Sequence, residues 1–90
     1  MDSYKEQAVN RLKKIQGQLG GLEKMFSQDR YCIDILTQIS AVQEALRGVS
    51  KQVMQNYLET CATGAIRSKS QKKRDRVYQE LMDVIYKYAK

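Results

Sequence analysis

Apolar side chains recur along this chain in steps of three and four, in three successive blocks, and that period is the signature of an amphipathic α-helix. The first block reads Ala8, Leu12, Ile15, Leu19, Leu22, Phe26; the second Ile35, Ile39, Val42, Leu46, Val49, Val53; the third Tyr78, Leu81, Ile85, Tyr88. No segment shows a strand signal, and proline is absent. The pattern predicts an all-α protomer of three helices. The first begins after Asp2 or Ser3, either of which can cap free amides, and runs to about Ser27. A short turn over Gln28 to Arg30, with Asp29 as a candidate cap, leads into a long second helix that ends near Gly64. Ser68 or Ser70 caps the third. Gly17, Gly20 and Gly21 each weaken the first helix by roughly 1 kcal/mol relative to alanine, which signals close packing or a local bend.

Ninety residues make one small domain, spanning 1–90, with no internal repeat. A chain this short buries a modest fraction of its surface, so association is expected. The near-heptad stripes of the first two helices suit an antiparallel four-helix core shared by two copies. No apolar run approaches the roughly 18 residues of a membrane span, and no charged-then-apolar leader precedes the first helix, so the expectation is a cytoplasmic protein with no membrane partner. The formal net charge is +6. Arg67, Lys69, Lys72, Lys73, Arg74 and Arg76 crowd the start of the last helix, and Arg11, Lys14 and Gln18 form a ridge on the face of the first helix away from its stripe. Such surfaces release counterions from a polyanion, and DNA is the candidate.

The chemistry rests on two cysteines, Cys32 and Cys61, with no histidine anywhere in the chain. A reducing cytoplasm makes such thiols reactive or metal-binding groups before it makes them a structural staple. Within one straight helix their sulfurs would lie roughly 43 Å apart, whereas a disulfide needs Cα atoms within about 7 Å. Two copies packed antiparallel would instead bring Cys32 of one beside Cys61 of the other, twice over by symmetry. The midpoint falls between Leu46 and Arg47, next to Gly48, whose missing side chain would let the helices cross closely. Cys32 lies in the first turn of the second helix with Arg30 nearby, where the helix dipole favours a thiolate, although Asp34 opposes it; Cys61 lies at the negative end. Cys32 is therefore the expected attacking thiolate and Cys61 the resolving thiol.

Asn10-Arg11-Leu12, Ile15 to Gly21 (IQGQLGG), Asp29 to Leu46 (DRYCIDILTQISAVQEAL) and Asn56 to Cys61 (NYLETC) closely resemble the CsoR/RcnR family of bacterial repressors. The resemblance spans most of residues 10 to 61. It implies protomers that pair antiparallel and assemble as a dimer of dimers, a homotetramer that binds operator DNA without a helix-turn-helix. It implies a DNA-contacting role for Arg11, with Lys14, Gln18 and Lys51 as companions on exposed faces. It also implies that Tyr31 and a glutamate of the third helix, Glu80, couple the sensing site to DNA.

Copper-sensing members hold the metal with a cysteine matching Cys32 and a His-Leu-x-x-Cys motif of the other chain. Here that motif reads Tyr57-Leu58-Glu59-Thr60-Cys61, so the histidine position carries a phenol. Two thiolates alone could hold Cu(I) linearly, whereas zinc or nickel would lack ligands. The formaldehyde-responsive branch uses an N-terminal proline, and this chain begins Met1-Asp2. What remains resembles the CsoR-like sulfurtransferase repressor (CstR) branch, which keeps both cysteines, lacks the histidine and responds to persulfides and polysulfides. Tyr57 departs from that branch too. The expected function is thus a repressor whose intersubunit dithiol reacts with persulfide or polysulfide donors, needing no metal or cofactor. A Cu(I) repressor is the alternative, and a helical scaffold with no effector is the alternative of another class. No histidine, phosphate loop or carboxylate pair suggests an enzyme.

Overall fold

A computed structural model describes residues 2–88, with side chains from 3–87. Helix α1 spans Asp2–Ser27 and α2 spans Cys32–Tyr57; a five-residue π turn, Leu58–Ala62, continues directly into α3, Thr63–Arg67, and α4 spans Gln71–Tyr88. Helical structure runs unbroken from Cys32 to Arg67, so the chain has three helical rods, and no strand occurs among the described residues. The capping expected of Asp2 and the apolar contact expected of Tyr88 fall on side chains outside those described. Ser3 lies within α1, where its hydroxyl accepts a hydrogen bond from Gln7 Nε2 at 3.3 Å.

The chain forms two compact units, Met1–Met54 and Gln55–Lys90. In the first, Gln52 Nε2 donates to Gln7 Oε1 at 2.8 Å, and the tip of Arg11 lies against Gly48. Four residues forward on α1 correspond to four residues back on α2, so the two helices run antiparallel. Asp29, expected to cap α2, does a different job. Its φ of 53° places it in the left-handed region, its amide donates to Phe26 O, and Arg30 N–H reaches back to Met25 O. These are the paired bonds of a Schellman motif, so Asp29 terminates α1 in a position that glycine ordinarily fills. The first turn of α2 is closed instead by the Tyr31 carbonyl, which accepts from Asp34 and Ile35.

The stripes of the first two helices are in phase with the fold, since Ile15 and Val42 are the buried apolar residues of this unit. Leu12, Leu19, Phe26, Leu46 and Val53, from the same stripes, stay 42–60% exposed. Large apolar side chains left exposed along both stripes suit burial against a partner. Gly17, Gly20 and Gly21 have nothing within 4 Å of where a Cβ would stand, and α1 continues through them. Close packing within the chain is therefore not their role.

In the second unit α3 packs against α4, and Ala62 and Val77 are buried. The helix does not stop at Gly64, which lies inside α3. It stops at Ser68, whose backbone is extended (φ −66°, ψ 149°) and whose hydroxyl accepts the Ser70 amide at 2.9 Å. Ser70 then caps α4, its Oγ accepting the Lys73 N–H at 3.3 Å. The face of α4 turned inward carries Val77, Leu81 and Val84, while Tyr78 and Ile85 from the expected stripe stay exposed. α4 has two adjacent apolar rows at helical spacing, and the pattern alone does not say which one the chain covers.

Candidate effector and DNA sites

Cys32 is the first residue of α2 and Cys61 lies in the π turn; both are free and exposed. Around Cys32 the turn is open. Tyr31 beside it is 67% exposed, and Arg30 pairs with Asp34 at 3.9 Å. With both side chains at least half exposed, that pair is worth at most about 1 kcal/mol. It also draws the Arg30 charge toward Asp34 and away from any exclusive association with the thiol.

Cys61 sits in a more determined setting. The π turn forms because two threonine hydroxyls and a backbone amide take carbonyls that an α-helix would pair differently. Thr60 Oγ1 donates to Asn56 O at 2.7 Å and Thr63 Oγ1 to Leu58 O at 2.6 Å; the Thr63 N–H also goes to Leu58 O. Such back-bonding competes with the helical ladder, and π turns concentrate at functional sites. Cys61 Sγ lies 3.5 Å from Thr60 Oγ1. Because the single hydroxyl proton of Thr60 is directed to Asn56, the thiol is the group able to donate in that contact.

One turn earlier, Tyr57 Oη donates to Glu80 Oε2 at 2.7 Å, tying the start of the π turn to α4. The Glu80 carboxylate accepting this bond is the main reason that the Tyr57 phenol is pushed up to about 12; desolvation and the negative charges of Glu80 and Cys61 act in the same direction. A phenol that holds its proton this firmly is not a metal ligand at neutral pH. Arg76 lies 4.0 Å from the other Glu80 oxygen, an exposed and weak pairing. Each residue of the Tyr57–Glu80 pair is visible in the sequence. The bond between them is not, because nothing local links positions 23 residues apart.

Among the described residues no three His, Cys, Asp or Glu side chains cluster as a metal site. A three-ligand centre that includes Tyr57 does not fit this chain. Two soft thiolates do fit Cu(I), which accepts linear coordination by sulfur.

The residues expected on DNA fall into two groups. Lys14 and Lys51 are exposed. Arg11 is exposed as a whole, yet its Nη1 lies 2.8 Å from the position of a Cβ on Gly48, so its tip is folded against α2. The space at Gly48, where the cysteine midpoint suggested a close helix crossing, is occupied within the chain by the tip of Arg11. Gln18, expected on the open ridge, is half-buried, and its Oε1 is buried with no hydrogen-bond partner. The face of α1 that carries Gln7, Arg11 and Gln18 therefore turns partly toward α2.

The family model described as "Metal-sensitive transcriptional repressor" matches residues 4–87. The copper-sensing transcriptional repressor CsoR of Bacillus subtilis (strain 168) is 42% identical over 86 residues, covering 96% of this chain and 82% of that protein. The crystal structure of the copper-sensing repressor CsoR with Cu(I) from Geobacillus thermodenitrificans NG80-2 superposes with a TM-score of 0.87 at 43% identity, over 100% of this chain and 91% of the other. A variant of the formaldehyde-responsive regulator FrmR from Salmonella enterica serovar Typhimurium shares the fold, with a TM-score of 0.77 at 23% identity over 98% of this chain and 97% of the other.

Proposed function

Because this chain belongs to the family of metal-sensitive transcriptional repressors, we propose that it binds operator DNA as an oligomer and that an effector acting on Cys32 and Cys61 releases the DNA. It is proposed to work in the cytoplasm and to catalyse no reaction. The described helices include none long and apolar enough to cross a membrane. The uncovered stripes of α1 and α2 support pairing of two copies, and the basic side chains of α1, α2 and the α3–α4 junction support a polyanionic partner.

Cu(I) is the effector that the comparisons favour, because relatives at 42% and 43% identity carry copper-sensing names. The observation that carries the form of the site is the Tyr57–Glu80 hydrogen bond. It commits the phenol elsewhere and leaves Cys32 of one protomer and Cys61 of another as the two thiol donors. Bound there, Cu(I) would draw two thiolates together and so fix the spacing of the DNA-contacting ridges in a released state. Anaerobic titration tests this: one Cu(I) per dithiol, with loss of operator binding, is expected. Failure to bind Cu(I) stoichiometrically would remove copper.

The persulfide reading expected from the sequence takes second place, because the relatives described above are copper-sensing repressors and a formaldehyde-responsive regulator. What favours it is the same tyrosine, since a chain with no third ligand loses what a metal gains most from the motif. In that reading the Cys32 thiolate takes the outer sulfur of a donor R–S–SH, releasing R–SH and leaving Cys32 as a persulfide. Cys61 of the other protomer then attacks the Cys32 sulfur and expels hydrosulfide, closing an intersubunit disulfide. A longer polysulfide bridge would need an additional sulfur atom from a polysulfide donor. Intact mass after treatment with a persulfide donor, read beside a gel shift, separates the two effectors: a crosslinked dimer that no longer binds DNA supports sulfur, and unlinked chains refute it.

A further inference from the structure

We propose that Gly48 is a positioning residue for Arg11, providing a notch on α2 in which the guanidinium is seated and preset for a DNA phosphate. Gly48 is the single residue of α2 without a side chain. A Cβ there would stand 2.8 Å from Arg11 Nη1, closer than real Cβ contacts come, whereas the other four glycines have nothing within 4 Å. A glycine in the middle of a helix disfavours that helix relative to alanine, and here the neighbouring helix supplies the reason. One turn along, the Gln52–Gln7 hydrogen bond pins α1 to α2, so the notch and the arginine are held in register.

The consequence follows from the flexibility of arginine. A free arginine side chain samples many rotamers and loses that freedom when it grips a phosphate; a seated one has already lost part of it. The group that a new Cβ would strike is the far end of this long side chain, so Gly48→Ala displaces the guanidinium and leaves the backbone in place. The substitution therefore separates position from presence: Arg11 remains, with its charge, in the wrong place.

This inference rests on the reading of Arg11 as a DNA contact, and the experiment distinguishes the two. The full chain is compared with Gly48→Ala, Arg11→Ala and the double variant, using an operator duplex selected from a random-sequence pool with the wild-type chain. The Arg11 Nε–Hε resonance is followed in parallel. Gly48→Ala should fold at least as stably as the parent, shift that resonance, and weaken operator binding roughly three- to tenfold, the entropic value of a partly immobilised arginine. In the Arg11→Ala background the same substitution should have no further effect. An unmoved resonance overturns the seat. A moved resonance with unchanged affinity, while Arg11→Ala still weakens binding, overturns the positioning role alone. Unchanged affinity in Arg11→Ala overturns the DNA contact, and the proposal with it.

Discussion

Each compact unit carries one cysteine, and the two are built on different terms. In Met1–Met54, α1 and α2 meet through a glutamine pair, an arginine laid on a glycine, and two buried apolar residues, while much of the apolar surface stays open. In Gln55–Lys90, a charge-assisted hydrogen bond and two threonine back-bonds bracket the short irregular segment that holds Cys61, and Ser70 caps α4. Cys32 stands exposed after a turn held mainly by backbone bonds, and Cys61 in a turn whose shape side-chain bonds help to fix. A sensor that joins one thiol of each kind would place the adaptable partner where an effector can first be captured, and the fixed one where capture is converted into a defined geometry. The first unit would then own reactivity and DNA contact, the second the shape of the response.

The largest effect is expected at the adaptable thiol. Cys32→Ala should keep operator affinity and lose the effector-driven release, a coupling of about 5- to 150-fold in families of allosteric sites. Gel shifts with Cu(I) and with a persulfide donor would measure it. Undiminished release in the variant would break the division of labour at its root, since Cys61 would then suffice alone.

Arg11→Ala comes next, and it addresses the DNA contact proposed for the first unit. Loss of one phosphate contact per engaged protomer should weaken binding to all sequences and reduce the slope of log affinity against log salt by roughly one for each arginine removed. A variant that changes sequence preference and leaves the salt slope intact would make Arg11 a base reader. That outcome would recast the contact without moving it from the first unit.

The sequence and the fold agree where helical period decides and part where single bonds do. The end of α1 at Ser27, the start of α2 at Cys32 and the burial of Ile15 and Val42 all follow from spacing. Beyond Tyr57 the period predicts plain α-helix to Gly64, and it misses the π turn because that turn depends on which carbonyls Thr60 and Thr63 reach. Two threonines three residues apart beside a cysteine are the one local signal of it. The stripe expected on α4 shares Leu81 with the inward face and otherwise misses it by one residue, Tyr78 and Ile85 standing where Val77 and Val84 turn inward. Both thiols and Tyr57 are visible in the sequence as the chemistry of the proposed site; the Glu80 bond that engages the Tyr57 phenol requires the fold. Gly48 stands out in the sequence as a gap, and the fold shows Arg11 filling it.

Tyr57→Phe probes the second unit. It deletes the Glu80 bond and keeps the ring, at a cost of about 1 kcal/mol for a partly exposed bond. The pH dependence has a defined sign. The folded chain holds the phenolic proton up to about 12, against an ordinary value of 10.0, so this contribution to stability is present in full below pH 10 and is lost as pH rises toward 12. Wild type should therefore lose stability across that window by more than Tyr57→Phe does, and phenolate absorbance should show one of the six tyrosines ionising late. Should both chains weaken equally with pH, the clasp is not what fixes the π turn.

The smallest effect belongs to the turn before Cys32. Asp29 occupies a left-handed conformation that costs an ordinary L-residue about 1–2 kcal/mol, less for aspartate, and that glycine adopts freely. Asp29→Gly should remove that strain, against a loss of backbone entropy, for a net gain of about 0.5 kcal/mol. Chemical denaturation would read it as a higher midpoint with an unchanged slope. The informative comparison is with effector response. If Cys32 depends on an open, locally determined turn, the stabilised variant should respond as wild type does, because the Tyr31 carbonyl and not Asp29 closes the first turn of α2. A variant that gains stability and loses response would instead make the Asp29 carboxylate part of the Cys32 environment, and the first unit's thiol would prove as closely specified as the second's.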